Sequence, residues 1–163
     1  MHFRSFEYRH AVSILNSNHR LRKEIEDILS KLDLDLPRPY SRNDASRPHL
    51  QIQRAFLRHG WKAEVLVSPR TAKRHYFDLY KDRVAIEIEL SNRELLYRDY
   101  VRFHLAEADG RLDVGIILVL DREAGYIHPW GTRNGLPRLE DAVDDLNVLR
   151  EMIHVPIWVL ALG

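Results

Sequence analysis

The sequence predicts an α/β fold in which a mixed β-sheet lies between helices. Residues 113–120 and 155–162 are almost uninterrupted apolar runs, which is typical of strands that are covered on both faces. A segment with helical periodicity separates them, and two such strands joined by a helix form a βαβ unit. Because the chain has 163 residues, of which 45% are hydrophobic, we expect one compact domain over residues 1–163.

Helices and strands alternate before this unit. Residues 2–15 are compatible with either a strand or a short helix. An amphipathic helix is predicted from about Ser17 to Leu32 by the helical spacing of Leu21, Ile25, Ile28, Leu29 and Leu32. A second helix is predicted to begin near Pro48, which suits a first helical turn, and to end at Gly60, which suits the position after a C-cap.

The middle of the chain predicts strands followed by a helix. Three successive strands are indicated over residues 61–67, 75–80 and 83–90. The helix runs from Asn92 to about Glu107, with Ser91 or Asn92 as its N-cap. Its apolar anchors are Leu95, Leu96, Tyr100 and Phe103. The helix of the βαβ unit is indicated by Leu139, Ala142, Val143, Leu146 and Leu149.

The composition excludes several classes of protein. The chain has no cysteine, so it cannot form disulfides or cysteine zinc sites. It has no His-x-x-x-His pair, no GxGxxG and no GxxxxGK[ST], which disfavours zinc peptidases, dehydrogenases and nucleotide-dependent motors. The N-terminus lacks the apolar core of a signal peptide, and no segment approaches about 18 apolar residues. We therefore expect a cytoplasmic protein without membrane association.

The charges are divided unequally along the chain. Residues 1–75 carry 15 Lys and Arg against 8 Asp and Glu, whereas residues 76–163 carry 10 against 16. The basic excess lies in residues 38–74, which include Lys73 and Arg74 as candidate phosphate contacts. Such a combination suits a protein that acts on phosphodiesters, because cations hold the phosphates while carboxylates hold a metal. The alternative is a solvated basic surface.

Three carboxylates lie close together in "FDLYKDRVAIEIELSN", residues 77–92: Asp78, Glu87 and Glu89. Alternation along the strand over 84–90 places its apolar residues on one face. Glu87 and Glu89 are then neighbours on the other face.

A hairpin would bring Asp78 to the same face. If Lys81 and Asp82 form a two-residue turn, the pairs are Tyr80 with Arg83, Leu79 with Val84 and Asp78 with Ala85. Asp78 is then diagonal to Glu87, at roughly 5 to 8 Å. A three-residue turn would reverse this parity and place Asp78 among apolar residues, which the pattern disfavours.

Three like charges at this spacing indicate a metal site. The carboxylates repel one another, and a bound cation such as Mg²⁺ relieves the repulsion. Carboxylates from adjacent strands, with a substrate phosphate and water, can complete the coordination of such an ion. The pattern therefore favours metal-assisted phosphodiester hydrolysis. The alternative is a polar strand face without a metal.

The arrangement resembles the core motif of the PD-(D/E)XK nucleases. In that motif an acid on one strand precedes a Glu-x-Lys on the next, and here eight residues separate Asp78 from Glu87-Ile88-Glu89. Phe77 replaces the proline of the motif and Glu89 replaces its lysine. Among type II restriction endonucleases, BamHI-like enzymes have Glu-x-Glu at this position and BglII-like enzymes have Glu-x-Gln. The resemblance implies a restriction-endonuclease-like mixed sheet flanked by helices.

Most of the chain is similar to BglII-like enzymes in the order and spacing of three segments: "HAVSILN…RKEIEDILSKLDL", "AIEIELSN…LL…VR" and "HVPIWVLALG". In that family the Ser-Asn after the motif strand and an arginine in the next helix lie near the DNA bases. The resemblance thus implies base contacts for Ser91, Asn92 and Arg102. The alternative for these residues is a helix N-cap and a solvated helical charge.

The implied function is a Mg²⁺-dependent restriction endonuclease that cuts double-stranded DNA as a homodimer. Asp78 and Glu87 would bind the metal, and Glu89 would bind metal, orient water or accept its proton. BglII-like enzymes read palindromes with a GATC core, which implies the same preference here. Two alternatives remain: a repair or defence nuclease with structural preference, and a DNA-binding or interaction module that has kept the fold without turnover.

Three features depart from the family. The helix before the motif has no acid to serve as an additional metal ligand, although Glu64 on the next strand could approach or form a salt bridge instead. The chain ends just after the strand over 155–162, where family enzymes continue, which implies weakened specificity. In the loop over 127–138, Thr132, Arg133 and Asn134 could reach DNA or only connect two elements.

Overall fold

The chain forms a mixed α/β structure, as predicted. The computed structural model describes residues 2–17, 19–37, 40–70, 73–121 and 135–163. The helices are α1 (Ala11–Ser17), α2 (His19–Ser30), α3 (Ser46–Leu57), α4 (Leu95–Ala108) and α5 (Leu139–Val148), with a short 3₁₀ turn over Arg42–Asp44. The strands are β1 (Phe3–Tyr8), β2 (Val65–Leu66), β3 (Tyr76–Phe77), β4 (Leu79–Lys81), β5 (Val84–Ile88), β6 (Val114–Leu120) and β7 (Ile157–Leu162).

The main sheet has five strands in the order β1-β7-β6-β5-β4. The three central strands β5, β6 and β7 are parallel, and the edge strands β1 and β4 pair with them antiparallel. The predicted βαβ unit is therefore confirmed as β6-α5-β7. A separate antiparallel pair joins β2 to β3.

Helices cover both faces of this sheet. One face packs on α1, α2 and α3 through a core that includes Ile25, Ile52 and Phe56. The other face packs on α4 and α5 through a core that includes Tyr100 and Phe103. All five residues of β5 are buried as a consequence. The face of β5 that carries the motif glutamates thus lies beneath α4 and not at the protein surface.

The N-terminal segment contains both of the structures that its sequence allows. Residues 3–8 form β1, and the chain then turns through Arg9 and His10, which both have positive φ. The side chain of Glu7 accepts hydrogen bonds from the backbone N–H groups of Val12 and Ser13 at the start of α1. This contact satisfies N–H groups that the first turn of a helix leaves unpaired.

Two of the predicted strands are shorter than expected. The strand over 61–67 is reduced to β2, because Glu64 adopts a left-handed backbone conformation with φ of 54° and only Lys62 bridges to Tyr80 before it. The strand over 75–80 is divided at Asp78 into β3, which pairs with β2, and β4, which pairs with β5. Asp78 therefore lies where the chain passes from one sheet to the other.

The helix predicted to begin at Asn92 begins at Leu95. Asn92 accepts a hydrogen bond from the Glu94 N–H through its side chain at 3.1 Å, and this turn precedes the helix. The expectation that Ser91 or Asn92 is the N-cap is therefore wrong by two or three residues. Among the described helices, none has the length and apolar character that a bilayer crossing requires.

Candidate active site

The β4–β5 hairpin sets the position of the first carboxylate. Its turn lies at Asp82 and Arg83, whose φ angles of 47° and 64° match a type I′ turn, and not at Lys81 and Asp82 as predicted. The observed pairs are Lys81 with Val84, Tyr80 with Ala85 and Leu79 with Ile86. The predicted register is wrong by two residues, but a shift of two keeps every side chain on its face. Continuation of this register places Asp78 opposite Glu87.

Asp78 is held through one carboxylate oxygen. Its Oδ2 accepts the backbone N–H of Ile88 at 2.8 Å, where a neighbouring strand would otherwise provide a carbonyl. Its Oδ1 lies 3.8 Å from Nε2 of His49 and has no hydrogen bond to another described residue. Gln53, one turn after His49 on α3, donates to the Asp78 carbonyl at 3.4 Å. Helix α3 and strand β5 thus fix Asp78 from two sides.

Glu87 is buried between the sheet and α4, with only 1% of its side chain exposed. Its Oε1 lies 3.2 Å from the guanidinium of Arg102, whereas its Oε2 is buried without a hydrogen-bond partner. Burial raises the pKa of Glu87 well above its ordinary value, and the charges of Asp99 and Asp78 raise it further. Arg102 opposes this shift. Arg102 therefore offsets only part of the burial and like charge that raise the pKa of Glu87.

Glu89 makes a different set of contacts. Its Oε1 accepts three hydrogen bonds, from the N–H and hydroxyl of Ser91 and from the N–H of Asn92, at 3.2, 2.9 and 3.2 Å. Its Oε2 lies 3.6 Å from Arg98. Glu89 therefore anchors the turn that follows the motif strand.

Helix α4 faces the motif glutamates with a set of charged residues. The buried carboxylate of Asp99 lies 3.2 Å from Arg98 and 3.4 Å from Arg102. Burial raises the pKa of Asp99 to about 7, against the opposing effect of Arg98. Arg102, for which base contacts were predicted, has only 14% of its side chain exposed. It lies under the motif carboxylates, in contact with Glu87.

The sequence analysis missed Asp99, although the sequence contains a signal for it. Leu96, Tyr100 and Phe103 mark the buried stripe of α4 at helical spacing, and position 99 falls within that stripe. An aspartate at such a position is an acid that the fold buries. Its two neighbouring arginines are the partners that such a buried acid needs.

The arrangement suits a cation at Asp78 and Glu87. Each of these carboxylates is fixed through one oxygen, and in Glu87 the other oxygen is a buried acceptor without a partner. Buried polar atoms normally have a partner, so this oxygen is suited to a ligand that provides one. Within the described ranges, however, no group of three or more His, Asp or Glu side chains is arranged to hold a metal ion. The charge of Asp78 contributes to the raised pKa of Glu87, which makes these two acids the candidates for such a site.

A cleft of about 560 Å³ lies beside the end of the motif strand. It is lined by Arg42, Ala45, Ser46, His49, Leu50, Ile88, Leu90 and Ser91. His49 connects the cleft to Asp78, and Ser91 connects it to the turn that Glu89 anchors. The sequence analysis did not identify Arg42 or His49, because their proximity to the motif depends on the packing of the α3 segment against β5.

The remaining predicted residues lie around these elements. Ser91 and Asn92 are half-buried in the turn before α4, and Lys73 and Arg74 are exposed before β3. Glu64 is exposed and forms no ion pair with any residue that the structure describes. The loop residues proposed to reach DNA, Thr132, Arg133 and Asn134, lie outside the described residues.

Comparisons with known proteins agree with this fold. The sequence model of the family described as "Restriction endonuclease BglII/BglIII" matches residues 3–162. A solved structure titled "Crystal structure of restriction endonuclease BGLII complexed with DNA 16-mer" superposes with a TM-score of 0.76 at 25% sequence identity. The similarity covers 99% of this chain and 76% of that chain. No curated protein matches the sequence.

Proposed function

Because the chain belongs to the BglII/BglIII family of restriction endonucleases, we propose that it is a Mg²⁺-dependent type II enzyme that hydrolyses phosphodiester bonds in double-stranded DNA. The observation that carries the proposal is the pair formed by Asp78 and Glu87. Each carboxylate is fixed through one oxygen, and the buried Oε2 of Glu87 lacks a partner.

Asp78 and Glu87 are the residues that would hold the cation. Both provide hard oxygen ligands, and Arg102 offsets only part of the burial and like charge that raise the pKa of Glu87. When bound, Mg²⁺ would supply a Lewis acid at the scissile phosphate. The backbone N–H of Ile88 keeps Asp78 in place, and Arg102 does the same for Glu87.

Glu89 would connect the reaction to DNA recognition. It could bind metal, orient the attacking water or accept its proton, and it also fixes the turn at Ser91 and Asn92 through three hydrogen bonds. A glutamine would keep the acceptor oxygen of this contact without its charge. We therefore expect a glutamine to be tolerated at position 89 better than a neutral amide at Asp78 or Glu87.

The proposed DNA surface begins at the turn formed by Ser91 and Asn92. The adjoining cleft supplies a cation in Arg42, and Lys73 and Arg74 supply further exposed cations before β3. Contact between Arg102 and the bases stays a prediction. It would require Arg102 to exchange Glu87 for DNA, because the two are paired in the DNA-free protein.

We propose a palindromic target with a GATC core and a homodimeric enzyme. A palindrome presents two equal half-sites, and each needs its own copy of the reading surface. The neighbouring helices α4 and α5 carry exposed apolar side chains that suit a contact between two copies. They are Tyr97 and Val101 on α4, Val148 at the end of α5 and Met152 just after it.

A plasmid assay tests the proposal. Purified protein is incubated with plasmid in Mg²⁺ and, in parallel, in EDTA, and the ends of the products are sequenced. We expect discrete fragments in Mg²⁺, cut at sites that contain GATC, and intact plasmid in EDTA.

Each of three other results would contradict one part of the proposal. Discrete cuts that avoid every GATC would remove the site preference. A smear in Mg²⁺ would identify a structure-selective repair or defence nuclease. DNA binding without cleavage would identify a DNA-binding module of the same fold.

A further inference from the structure

Asp99 is a buried charge that the proposed reaction does not use directly. It lies on α4 with no exposed side-chain surface, and it faces the side of β5 that carries Glu87 and Glu89. An ionised carboxylate at such a depth is unfavourable unless it is paired. The contacts that pair it lead to the motif strand.

The charged side chains form a continuous chain from one motif glutamate to the other. Oδ1 of Asp99 contacts Nη1 of Arg102 at 3.4 Å and Nε of Arg98 at 3.2 Å. The same Nη1 of Arg102 lies 3.2 Å from Oε1 of Glu87. The guanidinium of Arg98 reaches Oε2 of Glu89 at 3.6 Å. One aspartate thus contacts two arginines, and each arginine contacts a different motif glutamate.

We propose that Asp99 is a positioning residue that keeps the motif glutamates ready for a cation. Through Arg102 it fixes one oxygen of Glu87 and leaves the other oxygen for the metal. Through Arg98 it holds Glu89 at the turn that precedes α4. The inference rests on the proposed metal-dependent function, because it assigns Asp99 a role in preparing the Asp78–Glu87 pair.

The chemistry of the two arginines explains why this contact matters. Without the Asp99 carboxylate, Arg102 would have Glu87 as its remaining ionic partner among its described contacts. Its guanidinium could then move onto both oxygens of Glu87 in the bidentate geometry that arginine favours with carboxylates. The cation would have to compete with Arg102 for both oxygens. Partners that orient a metal ligand typically change metal affinity by about 10- to 100-fold.

The proposal is tested with Asp99→Asn, which keeps the shape of the side chain and removes its charge. Binding of Mn²⁺ to the DNA-free protein is measured by titration calorimetry and electron paramagnetic resonance, and thermal unfolding is measured in parallel. We expect at least a ~10-fold weaker Mn²⁺ affinity. We also expect a higher Mg²⁺ requirement for cleavage, with activity partly restored at high Mg²⁺.

Asp145→Asn is the matched control. Asp145 is also a buried acid close to an arginine, but it lies on α5. Its carboxylate accepts a hydrogen bond from the hydroxyl of Tyr97 and lies 3.6 Å from Arg93. The Asp145→Asn change removes the same formal charge as Asp99→Asn, and Asp145 makes no contact with Arg98 or Arg102 among the described residues. We expect Asp145→Asn to bind Mn²⁺ within ~2-fold of wild type, since Asp145 contacts Tyr97 and Arg93 and neither motif glutamate.

A second variant keeps the test decisive if Asp99→Asn does not fold. Arg102→Lys retains the positive charge, but its side chain is one bond shorter than the path to the Nη1 that contacts both Glu87 and Asp99, so it should weaken Mn²⁺ binding in the same direction. If foldable Asp99→Asn or Arg102→Lys protein binds Mn²⁺ like wild type, the positioning role is overturned. Equal loss of affinity in Asp145→Asn would also overturn it, because a general charge effect would then suffice.

Failure of the metal-dependent function gives a different pattern. In that case wild type and Asp78→Asn would bind Mn²⁺ equally weakly, and no cleavage would depend on Mg²⁺. If wild type binds Mn²⁺, Asp78→Asn does not, and Asp99→Asn equals wild type, only the role of Asp99 fails.

Discussion

At the scale of single residues, the proposed function depends on the pair formed by Asp78 and Glu87. We predict that Asp78→Asn and Glu87→Gln each lower the cleavage rate by at least ~100-fold, given the several kcal/mol that a catalytic metal supplies. DNA affinity in Ca²⁺ or without metal should be equal or higher, because each change removes a negative charge beside phosphates. Plasmid cleavage and fluorescence anisotropy with a DNA duplex measure the two effects.

Two comparisons sharpen this test. Asp27→Asn, at an exposed position on α2, should leave both measurements unchanged. Glu89→Gln should lose less activity than Glu87→Gln, because the amide oxygen can still accept hydrogen bonds from Ser91 and Asn92. Cleavage at wild-type rates by Asp78→Asn and Glu87→Gln would show that the motif is only a polar strand face without a catalytic role.

Arg102 should stabilise the free protein through its ion pairs with Glu87 and Asp99. Arg102→Met would leave Glu87 and Asp99 buried without their shared cation, and loss of one partner from a buried ion pair costs roughly 3 kcal/mol or more. The double variant Arg102→Met/Glu87→Gln should recover a large part of that loss, since it also removes one uncompensated charge. Urea denaturation of the four proteins in this cycle measures the coupling.

A surface pair provides the control for this cycle. Lys23 and Asp27 lie 3.9 Å apart on α2, and both are exposed. Lys23→Met should change the midpoint of urea denaturation very little, because exposed ion pairs contribute little to stability. Equal effects from Lys23→Met and Arg102→Met would contradict the buried role of Arg102.

The sequence identified the motif acids but not what surrounds them. Glu87 and Glu89 share a face because strand alternation is local, whereas Asp78 lies at the break between β3 and β4, close to His49 of α3. Glu89 nevertheless has different partners from Glu87, since its Oε1 accepts hydrogen bonds from three donors of Ser91 and Asn92. Side-chain contacts of this kind depend on how α4 is placed, and periodicity does not fix that placement.

At the scale of elements, the approach of α4 to the sheet is set by Gly115 on β6. A Cβ at this position would lie 2.5 Å from Cδ2 and 2.7 Å from Cε2 of Phe103, which is closer than real contacts permit. We predict that Gly115→Ala destabilises the protein by ~1–3 kcal/mol, since overpacking forces side chains out of their rotamers or shifts the helix. Because α4 also carries Arg98 and Arg102, a shift should weaken Mn²⁺ binding as well.

A compensating change tests this mechanism. Gly115→Ala combined with Phe103→Leu should be more stable than the sum of the two single effects predicts, because the smaller side chain makes room for the new methyl group. Thermal and urea unfolding of the single and double variants measure this coupling. Strict additivity would show that the contact between Phe103 and Gly115 does not limit the packing of α4.

The regular elements were predictable where their pattern was strong. The apolar runs of β6 and β7 and the periodicity of α2 and α5 follow from burial that repeats along one element. The division of the strand at Asp78 was not predictable, because β3 and β4 pair with different sheets. The turn at Asp82 and Arg83 was missed for a local reason: both residues take positive φ, which neither an aspartate nor an arginine signals as strongly as glycine or asparagine.

At the scale of the whole molecule, the two helical layers have different proposed tasks. The layer of α1, α2 and α3 brings His49 and Gln53 to Asp78, and the 3₁₀ turn before α3 lines the cleft with Arg42. The layer of α4 and α5 holds Glu87 from beneath through Arg102. The motif strand lies between them, so both layers must be in place before the two carboxylates reach their positions.

The outer surface of the α4 and α5 layer is the proposed contact between two copies of the chain. Val101 lies there and is 55% exposed, and a lysine at this position would place charges of equal sign across a symmetric contact. We predict that Val101→Lys shifts the protein toward monomer and lowers cleavage of a palindromic duplex, while the unfolding midpoint of dilute protein changes little. Leu57→Lys, at an exposed apolar residue of α3, is the control and should remain dimeric. Sedimentation velocity with and without DNA measures the oligomeric state. A wild-type monomer under both conditions would count against the homodimer.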